Sequence, residues 1–122
     1  MGVGHVFADT SSTSVTVSNA TPSVSAVTLN GGSAITLTEN ATTAVAITAT
    51  ITDSNNCDDV FTSGTISAVL YRSAVTNTSS CTADDRNCYR SITLVEVGNT
   101  CNGSTDTSGD AIATATIWYF AN

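Results

Sequence analysis

Lysine and glutamine are absent from this 122-residue chain, and its only Lys or Arg side chains are Arg72, Arg86 and Arg90. A phosphate backbone is gripped by several Lys or Arg on one face, so nucleic acid is excluded as a partner. An anionic membrane surface is excluded for the same reason. Histidine occurs once, at His5, in a Gly-rich opening that offers no positioned base for a hydrolytic triad. Aromatic residues make up 6% of the chain, too few to line a cleft for glycosidic chemistry. No Gly-rich loop leads from a strand into a helix, which argues against nucleotide binding. No apolar run approaches the roughly 18 residues of a membrane helix. The opening "MGVGHVFADT" has neither the basic nor the apolar region of a secretion signal, and Val6 stands where N-myristoylation requires Ser or Thr. Without lysine, the Lys–Asn isopeptide cross-links of some surface sandwiches cannot form. Together these absences predict a protein that is not an enzyme and that inserts into no membrane.

Ser and Thr fill about a third of the sequence, and β-branched or apolar residues alternate with Thr, Ser or Ala in period two. That pattern predicts strands and disfavours helices. Candidate strands cover residues 13–18, 24–29, 34–38, 43–52, 65–72, 89–97 and 110–120, separated by turn clusters such as "NGG", "DSNNCDD" and "NTCNGSTDTSGD". The clearest is "TTAVAITATIT", with Val45, Ile47, Ala49 and Ile51 on one face. Short strands at this spacing predict an all-β chain, an antiparallel β-sandwich of about seven to eight strands. At this length one domain is expected, spanning residues 23–122. Residues 1–22 precede it as a linker, as the tail of a preceding repeat, or as a donor-type strand, with Pro22 at the junction. The opening "HVFAD" echoes the closing "WYFAN", as in a series of copies.

Residues 24–120 carry "SAVTLNGGSAITLTENATTAVAITATITDSNNC", "AVLYRS", "CTADDRNCY" and "ATATIWYF". In these they resemble the Thr-rich immunoglobulin-like repeats of large secreted proteins from uncultivated prokaryotes, modules often arranged in tandem. The resemblance implies an immunoglobulin-like fold and a role at the cell surface, and it carries over no functional residues. Trp118 lies on the final strand and not between two cysteines, a departure from antibody-type domains.

Four cysteines in a small chain predict disulfides and an oxidising, extracellular compartment. No C-x-x-C pair is present, and zinc would need all four at irregular spacing. Of three pairings, Cys81 with Cys88 is the most local and leaves Cys57 with Cys101. Loop entropy gives about 2.5 kcal/mol for the short closure and about 4 kcal/mol for the long one. Between the first pair lie Asp84, Asp85 and Arg86, read as the solvated tip of a stapled loop.

In "DSNNCDD", Asp53, Asn55, Asp58 and Asp59 place oxygens at loop spacing, which makes Ca²⁺ the one candidate cofactor. An EF-hand is excluded, because Asp58 replaces the required Gly and Gly64 the required Glu. The competing reading is an Asx-rich turn that satisfies its own backbone. Glycosylation sequons stand at Asn40, Asn77 and Asn102. The expected function is a non-enzymatic extracellular module of a prokaryotic surface protein or filament, a spacer or a strand-mediated polymerising subunit. Its partners would be adjacent repeats or further copies of itself. The alternative is a calcium-dependent adhesive or glycan-binding module.

Overall fold

Six strands, one short helix and two disulfides organise the described residues (2, 18–73, 81 and 87–118) of a computed structural model. In chain order these are β1 (Ser23–Leu29), β2 (Thr42–Thr52), α1 (Asp58–Thr62), β3 (Ser67–Tyr71), β4 (Cys88–Thr93), β5 (Val95–Glu96) and β6 (Ser108–Trp118). All pairings are antiparallel. They make one sheet of order β1-β2-β6-β5 and a second of β3 and β4.

The period-two pattern of β2 sorts its side chains as expected, with Val45, Ile47, Ala49 and Ile51 buried and the residues between them more exposed. Across the ladder, Val45 faces Ala115, Ile47 faces Ala113, Ala49 faces Ala111 and Ile51 faces Gly109. A branched residue on one strand thus meets a small one on the other, and the small row of β6 leaves depth for a covering layer. That layer brings buried Leu70 and Leu94, with half-buried Phe61, Ile66, Tyr89 and Ile92 packed against the cluster. Burying each Val or Ile contributes roughly 1.5–3 kcal/mol. The opposite face carries exposed Thr114 and Thr116 of β6, opposite Ala46 and Ala44, and half-buried Thr48 and Thr50 of β2. There the hydroxyls of Thr28 and Thr48 share a hydrogen bond, and Thr50 donates to the Asp110 carboxylate at 2.9 Å.

The described strands number six, against an expectation of seven to eight, and they depart from the expected runs in three places. Residues 34–38 pair with nothing among the described residues. Asn30, Gly31 and Gly32 hold φ of 50°, 60° and 80°, a left-handed turn that Asn and Gly tolerate. The Asn30 amide then donates to the Ala34 carbonyl at 3.0 Å, and alternation without an edge to pair against makes no strand. The run 89–97 divides at Leu94, a buried residue between β4 in one sheet and β5 in the other. The expected strand over 13–18 lies outside the described residues except for Ser18, which is in no strand. The helix α1 arises where a turn was expected, with Asp58 and Asp59 in its first turn, where the exposed N–H groups favour negative charge.

Gly109 explains how the covering layer seats. A Cβ there would lie 2.6 Å from Cys101 Cβ and 2.8 Å from Phe61 Cε2. Gly109→Ala is therefore expected to destabilise the fold by about 1–3 kcal/mol. Urea unfolding measures this, and an unchanged midpoint would show that the bridge and ring shift freely.

Candidate functional site

The loops at one end of the four-stranded sheet gather most of the residues that the sequence singles out. Beyond the last β2–β6 pair, Thr52 with Ser108, the two chains stay bonded: Asp53 N–H donates to the Thr107 carbonyl and Cys57 N–H to the Asp106 carbonyl, both at 2.9 Å. The ladder thus carries the β2–α1 loop to the point where Cys57 bridges Cys101, with Cα atoms 5.9 Å apart and neither residue exposed. The second bridge joins Cys81 and Cys88, both buried. Arg90 Nη1 donates to the Cys81 carbonyl at 2.7 Å, so this cation holds the staple in place.

Three carboxylates at this end, those of Asp53, Glu96 and Asp106, accept from backbone N–H groups. Asp53 is buried, and its Oδ1 accepts the Asn55 N–H at 2.9 Å, which is an Asx turn. Asn56 Oδ1 accepts the Asp58 N–H at 3.1 Å. Asp106 Oδ2 accepts the N–H groups of Gly103 at 2.9 Å and Asn102 at 3.2 Å, and Glu96 Oε1 accepts that of Cys101. Asp110 N–H donates to Thr100 Oγ1 at 2.8 Å. Glu96, Asp106 and Asp110 were not among the residues picked out from sequence. The signal for Asp106 is its place in a Thr/Ser/Asn/Gly-rich loop, where a short acid bonds nearby N–H groups; Glu96 bonds an N–H five residues on, across the Gly98 turn, a spacing outside the usual Asx and capping patterns.

No protein-family model, curated protein or solved structure matches this chain. The chemistry of the site therefore rests on its own residues.

Of the four expected calcium ligands, Asp53 and Asn55 are brought together and their oxygens are engaged. Asn55 Oδ1 accepts the Ala20 N–H, and Asn55 Nδ2 donates to the Ser18 carbonyl at 3.0 Å. Its amide thereby ties the segment ahead of β1 to this loop. Asp58 and Asp59 start α1. Among the described residues, no group of three or more His, Cys, Asp or Glu side chains is gathered as a metal would require. At Asp53 the turn satisfies part of its own backbone. Chelation by EDTA is expected to leave the thermal midpoint unchanged, whereas a fall of more than about 3 °C, reversed by added calcium, would reinstate the cation.

The sequons at Asn40 and Asn102 lie on exposed residues, and Asn40 occupies a turn at φ 56°. Asn77, His5 and the stapled tip at Asp84, Asp85 and Arg86 lie outside the described residues. Two disulfides fit an oxidising, non-cytoplasmic environment, and no described helix is long and apolar enough to cross a membrane. The sequence separations, 44 and 7, make the bridges unequal. Replacing both Cys57 and Cys101 by Ala should cost about 4 kcal/mol or more in guanidinium unfolding, against about 2.5 kcal/mol for the Cys81 and Cys88 pair. Equal losses would refute the loop-length account.

Proposed function

We propose that this chain is a non-enzymatic, extracellular structural module of a prokaryotic surface protein or filament, built on an immunoglobulin-like sandwich. The sheet order supports the fold reading. An immunoglobulin sandwich sets strands A, B, E and D side by side in one sheet and C in the other, and variable-type domains add C′ beside C. With β1, β2, β5 and β6 as A, B, D and E, β3 takes the place of C and β4 that of C′, in unbroken chain order.

One observation carries the mechanical reading: Ser23, the first residue of β1, pairs with Thr52, and Trp118, the last of β6, pairs with Thr42. The chain therefore enters at one end of β2 and leaves at the other. Tension between neighbouring copies would act along the strands and shear the two ladders flanking β2, so that many hydrogen bonds break together. A strand pulled from one end unzips bonds singly. The Cys57–Cys101 bridge adds a second safeguard, since it keeps 44 residues of separation from extending.

Single-molecule pulling on a tandem of copies tests this. Under oxidising conditions each unfolding step is expected to be shorter than under reducing conditions by roughly 150 Å from the long bridge alone, at about 3.3–3.6 Å per residue. Unfolding at forces no higher than those of a module pulled by unzipping would sink the mechanical role.

A further inference from the structure

Where the chain enters β1 and where it ends β6, it is fastened by a side chain from elsewhere in the fold, and each of those side chains stands beside a disulfide. Ahead of β1, Asn55 Oδ1 accepts the Ala20 N–H and Asn55 Nδ2 donates to the Ser18 carbonyl at 3.0 Å. Asn55 stands two residues before Cys57, which is bridged to Cys101. At the end of β6, the Trp118 N–H donates to the Tyr89 hydroxyl at 3.0 Å. Tyr89 directly follows Cys88, which is bridged to Cys81.

We propose that the Asn55 amide and the Tyr89 hydroxyl are force latches, which pass tension from the two ends of the chain into the disulfide-closed part of the domain. Three observations carry this. The first is place: tension reaches β1 only through Ser18 and Ala20, and reaches β6 only through Trp118, so both latches are loaded together with the ladders behind them. The second is need. Six of the seven residues of β1 are exposed and its register shifts between Ser25 and Thr28, so this edge strand alone resists shear poorly. The Asn55 latch ties the entering chain past β1 to the β2–α1 loop, which Asp53 and Cys57 N–H groups bond to Thr107 and Asp106. The third is anchorage. Tyr89 is half-buried, packs against the core cluster and pairs with Leu70 of β3, so its hydroxyl hands load from β6 to the second sheet. The Cys81–Cys88 bridge closes beside it, and Arg90 Nη1 holds the Cys81 carbonyl at 2.7 Å. The short bridge, whose small loop adds less entropy than the long one, thereby acquires a second role: it seats the exit latch.

The inference rests on the mechanical reading and names the residues through which load enters and leaves. Constant-force pulling on a tandem of copies tests it. Tyr89→Phe keeps the ring and removes the hydroxyl, and Asn55→Ala removes the amide. Each is expected to raise the unfolding rate under load about two- to tenfold, the weight of one or two hydrogen bonds, and the pair by the product of the two. With Cys81 and Cys88 both replaced by Ala, the effect of Tyr89→Phe is expected to fall below about twofold, since the two sites are coupled. Unfolding in urea without load separates a latch from a merely structural bond: there the same variants are expected to change the rate by less than about twofold. Amide hydrogen exchange reads the latches without force. The Trp118 amide should exchange at least about tenfold faster in Tyr89→Phe, and the Ala20 amide in Asn55→Ala, while Ile47 and Ala113 keep their protection. Unchanged rates under load, equal changes with and without load, or amides indifferent to the substitutions overturn the proposal. Shear-type unfolding that ignores both substitutions removes the latches and leaves the mechanical module standing, whereas unzipping of the unsubstituted tandem removes both.

Discussion

The antiparallel ladder between β2 and β6 is the constraint on which the other elements depend. All eleven residues of β2 pair with β6 without a shift, so every inward position is fixed at once: a slip of one residue would turn the Val/Ile row to solvent. The register sets Ile51 against Gly109, and the absent side chain at Gly109 admits Cys101 and Phe61. It also carries the chain past Thr52 to the bonds that seat Cys57. Edge strands β1 and β5 are attached to this pair, and β3 and β4 cover it. The edge strand β1 is bulged, with Ala26 at φ 48° where its register shifts, and irregularity of this kind limits pairing with stray chains.

A core of this composition is thin. Of the eight residues in the four inward pairs from Val45–Ala115 to Ile51–Gly109, five are Ala or Gly, and such residues bury little area. Stability is recovered by closing loops covalently and by giving three acids of the loop end a backbone donor. Asp53, Glu96 and Asp106 each hold a turn near the long bridge. Each of these three carboxylates has a lone pair directed at a nearby N–H group. Asn55 at this end of the domain also holds the segment that leads into β1.

Much of the fold was legible in the sequence. The strands over 24–29 and 43–52 are found at nearly those bounds, because alternation and bounding turns are local signals. Asn30-Gly31-Gly32 announced its left-handed turn for the same reason, since few other residues adopt positive φ at low cost. Residues 34–38 show the limit, for alternation records what a segment is able to pair with and not whether an edge is within reach. The break at Leu94 is equally invisible locally, because the run 89–97 alternates well enough for one strand while the two sheets it serves lie in different layers. Of the site, the Asx turn at Asp53 was legible, whereas the role of Asn55 was not, as its partners lie far back in the chain around Ser18.

What the sequence by itself determined is the all-β character, the turns and the inward face of each long strand, all consequences of side-chain size and backbone preference within a few residues. The tertiary structure alone decided which strands became neighbours, that β5 joined β6 and not β4's sheet, and that Asn55 reached back to the segment before β1. Those outcomes depend on distances between residues far apart in the chain, which become short only when the β2–β6 ladder has set both sheets in place.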